Sequence, residues 1–225
     1  MTSNKKRTLE FLTLSLGLGI TAAVGSLIFF AWLTNEVLAG ETQHFDDLTR
    51  AAIHQFASPA LTTTMRGVSF IGSSLFLTTI TIGIFIWFLT HRWGREGWLL
   101  GITMLGAAVL NTTLKVTFQR PRPVPFFNIL PPESYSFPSG HSLASFCFFG
   151  ALATVLTARS DNHKINFFIW LISGLFVFVI GLSRIYLGVH YTTDVLAGFA
   201  AALIWIAVIR FLEMELVRRR KKRLA

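Results

Sequence analysis

His190 and Asp194 stand four residues apart, and Arg184 precedes His190 by six. If the chain from Val189 onward is helical, His190 and Asp194 lie on one face. The carboxylate then accepts a hydrogen bond from one imidazole nitrogen and leaves the other as a lone pair aimed elsewhere. An imidazole held this way serves as an oriented nucleophile or as a general base. H-x-x-x-D alone also occurs in helices where it is merely structural, so its meaning depends on what else reaches the same place.

Two other stretches qualify. Lys115 to Pro123 reads K-V-T-F-Q-R-P-R-P, and Pro138 to His141 reads P-S-G-H. Lys115, Arg122 and Arg184 would repel a metal cation, which disfavours a zinc site built on His141, His190 and Asp194; no metal is expected. The same cations suit a multiply charged oxyanion, Arg as a planar fork of donors and Lys as a mobile point charge. Ser139 and Gly140 open an apolar, helix-length run. A helix starting there presents free amides and a positive dipole end, and Gly140 lets an anion approach closely. Pro138 fits an abrupt helix start. His141, in that first turn, can donate a proton to a departing oxygen. Arg120 lies two residues before Arg122 in a Pro-rich, extended segment, which keeps both on one side. It is expected one layer out, meeting a second phosphate or an acidic headgroup.

These residues must be held by helices in a membrane. Of the 225 residues 52% are hydrophobic and 14% charged, with 22 phenylalanines; a soluble domain has about a quarter charged residues. Phe11–Leu33, Gly67–Thr90, Gly97–Leu114, Gly140–Thr157, Ile165–Leu182 and Thr193–Leu212 are apolar runs long enough to cross a bilayer. The expected fold is therefore all-α, a single six-span bundle over residues 1–225. Asn35–Arg66 mixes acids with apolar residues. Phe45, Leu48, Ala52 and Phe56 fall at helical spacing there, predicting one or two amphipathic helices at the interface, broken near Ser58-Pro59. Cys147, the only cysteine, lies in an apolar run and reads as a packing residue.

Six spans put both termini on one side. That side collects 14 cations: Lys5, Lys6, Arg7, Arg92, Arg95, Arg159, Lys164, Arg210, Arg218, Arg219, Arg220, Lys221, Lys222 and Arg223. The other side collects 6: Arg50, Arg66, Lys115, Arg120, Arg122 and Arg184. By the positive-inside rule both termini are cytoplasmic. The basic tail is then a topology and anionic-lipid signal, and the net charge of +9 calls for no nucleic acid. Four of the outer cations sit in the motifs above, where topology does not explain them; charges of that kind are candidates for function.

The pattern Lys115…Arg122-Pro123, Pro138-Ser139-Gly140-His141, Ser183-Arg184…His190…Asp194 resembles the three-part signature of the type-2 phosphatidic acid phosphatase superfamily, with every position present. The resemblance implies a bacterial membrane lipid phosphatase acting on phosphatidylglycerophosphate, phosphatidate or undecaprenyl diphosphate, without a cofactor and without an obligate protein partner. It implies His190 as a nucleophile that becomes a phosphohistidine, with Asp194 orienting it. It implies His141 as the acid for the leaving group, then the base for water. Lys115, Arg122, Ser139, Gly140 and Arg184 are implied as the phosphate cradle. Passing the phosphoryl group to another lipid, or a non-enzymatic transporter or scaffold role, are the competing readings.

Overall fold

The computed structural model describes residues 2–130 and 133–224, and side chains from residue 17 onward except at 18, 220–222 and 224. Of the cations counted above, Lys5, Lys6, Arg7, Arg220, Lys221 and Lys222 lie outside the described side chains. Among the described residues eight helices follow in order: α1 (Thr2–Ala39), α2 (Gln43–His54), α3 (Pro59–Ile71), α4 (Ser74–Thr90), α5 (Gly94–Phe118), α6 (Gly140–Thr157), α7 (His163–Tyr186) and α8 (Thr192–Leu224). No strand occurs among the described residues.

Among the described residues five stretches are long and apolar enough to cross a membrane: Gly19–Ala39 and the helices α5, α6, α7 and the first 28 residues of α8. The second expected span is broken instead of straight. It is the pair α3 and α4, bent by 47°, and taken as one crossing it makes the sixth span. Local chemistry accounts for the break. Ser73 caps α4 by accepting from the Phe76 amide, as Ser58 caps α3 by accepting from the Leu61 amide, with Pro59 at the first helical position. Gly72 at the elbow lets α7 come close: a Cβ there would lie 2.4 Å from Ile180 Cγ2 and 3.4 Å from His141. The bend thus presses the elbow against the first turn of α6.

α6 is the centre, packed against α4, α5, α7 and α8. Its buried residues Leu143 and Cys147 join Ala107 of α5 and Ala201 and Ala202 of α8. Small residues let transmembrane helices approach closely where lipid supplies no hydrophobic drive. The outward faces carry large apolar side chains such as Ile82, Leu105, Phe167, Leu175 and Phe178, all exposed; on a membrane bundle that is the lipid-facing surface.

α2 is the interfacial helix expected after the first span, but its orientation is the reverse of a soluble surface helix. Phe45 and Leu48 are exposed, as is Phe56 just beyond the end of the helix, while Asp46 and Arg50 are buried. The apolar face looks outward and the charged face looks into the protein. The reason lies in what waits beneath it.

Candidate active site

Three connections gather at one end of the bundle: the Pro-rich stretch after α5, the turn between α7 and α8, and the start of α6. α5 ends at Gln119, whose left-handed backbone (φ 47°, ψ 30°) turns the chain out of the helix. α7 ends at Tyr186, and Gly188 (φ +73°) makes the turn into α8; a Cβ there would meet Phe126 N at 2.6 Å. The Phe126 amide donates to Leu187 O at 3.0 Å, stitching the two connections together. The Ser139 amide donates to Asp194 O at 2.9 Å, so the first turns of α6 and α8 are tied side by side.

His190 is 1% exposed and Asp194 is fully buried. His190 Nδ1 lies 3.2 Å from Asp194 Oδ2, which also accepts from the Tyr191 amide at 3.0 Å. On the other side of the ring Arg122 Nη1 lies 3.1 Å from Nε2 and donates to Val189 O at 2.8 Å. A guanidinium only donates and a carboxylate only accepts, so Asp194 and Arg122 favour the tautomer in which Nδ1–H donates to Asp194 and Nε2 carries the lone pair, while the Ser136 backbone, also beside the ring, favours a proton on it. Burial holds the imidazole well below its ordinary range, and Arg184, Arg122 and Lys115 reinforce it. His190 is therefore neutral, with Nε2 turned toward cations.

Those cations are held without neutralisation. Lys115 Nζ donates to the carbonyls of Tyr135 and Ser136. Arg122 donates to Ser134 O at 2.6 Å and to Tyr135 O at 3.2 Å; its burial lowers its affinity for its proton, and Asp194 opposes this. Arg184 Nη1 donates to Ser69 Oγ, at the end of α3, and its Nε has no partner. Among the described residues none of the three forms an ion pair. Carbonyls and a hydroxyl position them, so their positive charge remains available to an anion.

Ser139 is buried and caps α6; its oxygen lies 3.4 Å from the Ser142 amide and 3.0 Å from Ser142 Oγ. The amides of Gly140 and His141 belong to the first turn, where a helix supplies no acceptor. His141 is half-buried in that turn, against the Gly72 elbow. Gly140 faces Asn111, one turn before Lys115 on α5: a Cβ would lie 3.0 Å from Asn111 Nδ2. Among the described residues no three His, Cys, Asp or Glu side chains group so as to hold a metal ion.

The profile of the PAP2 superfamily matches residues 96–215, more than half of the chain. The chain belongs to the PAP2 superfamily. Phosphatidylglycerophosphatase B of Bacillus subtilis is 30% identical over 204 residues, covering 88% of this chain and 98% of that protein. A crystal structure of the transmembrane PAP2-type phosphatidylglycerolphosphate phosphatase from Bacillus subtilis superposes with a TM-score of 0.79 at 29% identity, over 86% of this chain and 96% of that one. Undecaprenyl-diphosphatase of Sulfolobus acidocaldarius is 32% identical over 113 residues, 48% of this chain and 50% of that protein. This PAP2 protein is thus a multi-span membrane phosphatase.

Arg120 departs from the sequence expectation. It meets no open anion site. Nη1 donates to Asp194 Oδ1 at 2.7 Å and to Thr193 Oγ1 at 2.9 Å, and Nη2 to Asp46 Oδ2 at 2.9 Å. Its guanidinium also lies over the Tyr191 ring at 4.1 Å. An extended two-residue step covers about 7 Å. With Arg122 at the imidazole, that step carries Arg120 to the far side of its carboxylate, where two acids consume its donors. Sequence reading missed Asp46, Thr193, Ser69 and Asn111. For Asp46 the signal existed: Asp46 and Arg50 are four apart on the face away from the apolar stripe.

Proposed function

We propose that this chain is a lipid phosphatase of the cytoplasmic membrane that removes phosphate from a phosphomonoester or diphosphate of a lipid through a phosphohistidine, at the extracytoplasmic face. The observation that carries this is the neutral His190. Its Nε2 faces Arg122 Nη1 at 3.1 Å, Arg184 and Lys115 stand near enough to act on its charge, and its Nδ1–H is held by Asp194. Nε2 attacks phosphorus, the three cations and the α6 amides take up charge on the phosphoryl oxygens, and the bond to the lipid oxygen breaks. His141 gives its proton to that oxygen. It then takes a proton from water, whose oxygen attacks phosphorus; the P–N bond breaks and His190 is restored.

The topology is supported by the 14-to-6 cation split, which puts the termini in the cytoplasm and the site at the other face. The apolar outward face of α2 beside the site suits a substrate whose headgroup sits at the interface. Phosphatidylglycerophosphate is favoured over undecaprenyl diphosphate, because the relative named for it matches over nearly its whole length, whereas the undecaprenyl-diphosphatase matches over half.

The test is phosphate release from phosphatidylglycerophosphate in detergent, paired with acid-quench trapping of phosphorylated protein. His190→Ala is expected to lose both turnover and the trapped, acid-labile label. Turnover at the parent rate by that variant would refute the assignment.

A further inference from the structure

Asp46 is a fully buried carboxylate that no part of the proposed reaction uses. It comes from α2, far from the signature in sequence, and it has a full set of partners. Oδ1 accepts from the Thr193 amide at 2.9 Å, a first-turn amide of α8 that has no acceptor within its own helix. Oδ2 accepts from Thr193 Oγ1 at 2.6 Å and from Arg120 Nη2 at 2.9 Å. Arg120 is shared: its other nitrogen donates to Asp194, and its side chain is only 10% exposed. One cation therefore stands between two carboxylates of which neither is exposed.

We infer that Asp46 is a positioning residue for the reaction: by holding one end of Arg120 it keeps that cation from neutralising Asp194, so that a carboxylate's charge remains behind His190. The inference rests on His190 being the nucleophile. As Nε2 bonds to phosphorus, the ring acquires positive charge in a pocket that already holds Lys115, Arg122 and Arg184. Asp194 is the group that offsets it, through Nδ1–H. If Arg120 faced Asp194 alone, the two charges would cancel at close range, and in a buried site that cancellation is weakly screened. Asp46 supplies the second negative charge, leaving the Asp46–Arg120–Asp194 row with a net charge of −1 next to the imidazole. Further contacts of α2 fix the row in place: Thr49 Oγ1 lies 2.6 Å from Thr192 Oγ1, and the Arg50 guanidinium, itself paired with Asp47 at 3.8 Å, donates to Val124 O at 2.8 Å.

A plain latch between α2 and α8 would have the same contacts, so the test separates charge from attachment. Asp46→Asn keeps an oxygen for the Thr193 amide and removes the charge. Single-turnover phosphohistidine formation and steady-state rates are measured on phosphatidylglycerophosphate and on an aryl phosphate. Expected is a fall of about 10–100-fold in kcat and in the rate of phosphohistidine formation on both substrates, with KM within about twofold, as for outer carboxylates behind ligating histidines. Asp46→Asn with Arg120→Gln is expected to recover part of the rate, because the surplus cation is gone; a latch predicts further loss. Unchanged kcat, a change in KM alone, or a double variant slower than the single would each overturn the proposal. If Asp46→Asn does not elute as a folded protein, Asp46→Glu carries the test: it keeps the charge beside Arg120 while disturbing the bonds to Thr193, kcat is expected to stay within about threefold of the parent, and a fall of more than about tenfold, as a latch predicts, overturns the proposal. If the parent protein forms no phosphohistidine, the nucleophile assignment falls and this inference with it, a result distinct from all the others.

Discussion

The two ends of the bundle use the same chemistry in opposite ways. At the end holding the site, Arg120 pairs with Asp46 and Asp194 where the acids are wholly buried and the arginine nearly so. At the other end Arg95 and Arg210 pair with Glu213, Arg159 pairs with Glu96 and lies over Trp93, and Arg219 pairs with Glu215. There the arginines are 44–70% exposed. Exposed pairs are screened by water and salt and are worth about 0–1 kcal/mol each. Buried pairs lose several kcal/mol when one partner is removed, because a charge is then left without solvent. The chain thus keeps adjustable charges at the end with the basic tail and fixed charges at the end with the histidines.

Breaking the fixed end should cost most. Asp194→Asn leaves the shape but removes the charge behind His190 and the acceptor that selects its tautomer. By comparison with the corresponding change in serine proteases, a loss of about 10⁴-fold in kcat is expected. A loss under tenfold in a steady-state assay would show that Asp194 is not the partner that matters. Arg184→Lys comes next. It keeps the charge but loses the fork, and Ser69 fixes the guanidinium by accepting from a single nitrogen, Nη1. Loss of one such contact to a developing oxyanion costs about 10²–10³-fold, and retention of more than a third of the parent rate would remove Arg184 from the cradle.

Titration sharpens the contrast without a mutation. Because burial and three cations hold His190 well below the usual imidazole range, lowering the pH from 8 to 6 should not protonate it. The sign for stability follows: an unfolded chain takes up a proton at His190 as pH falls below about 6.5 and the folded one does not, so this residue weakens the fold on the acid side. Nitrogen-15 spectra of the detergent-solubilised protein should show His190 as the Nδ1–H tautomer throughout that range; midpoint titration near 6.5 would contradict the environment described. The exposed end gives the smallest effect. Glu215→Gln removes the acceptor of Arg219 from a pair 70% and 34% exposed, and should change kcat by less than about twofold and stability by about 1 kcal/mol or less. A larger loss of activity would mean that the two ends are coupled.

Much of this was legible in the sequence because it is written in local patterns. Apolar runs of bilayer length gave the spans, and the types and spacing of Lys115, Arg122, Ser139, His141, Arg184, His190 and Asp194 gave the candidate site. The bend between α3 and α4 was hidden, because Gly72-Ser73 sits inside one continuous apolar run and only contact with Ile180 and His141 reveals its purpose. The role of Arg120 was hidden for a related reason. Its proximity to Arg122 could be read from a two-residue step. Its partner Asp46 could not, since the pairing joins residues 74 apart and requires an interfacial helix with its charged face turned inward.

Arg122 has one more consequence. In the resting protein its guanidinium donates to Nε2, the atom that attacks phosphorus in the reaction proposed above. The lone pair stays occupied until something draws that guanidinium away. In the proposed reaction a phosphate dianion is expected to do so, since it offers Arg122 a charged, two-pronged acceptor in place of a single neutral nitrogen. An uncharged ester offers no such exchange. Recognition and arming of the nucleophile are then a single swap of partners at one side chain, an interlock that keeps the histidine sheathed until the right charge arrives.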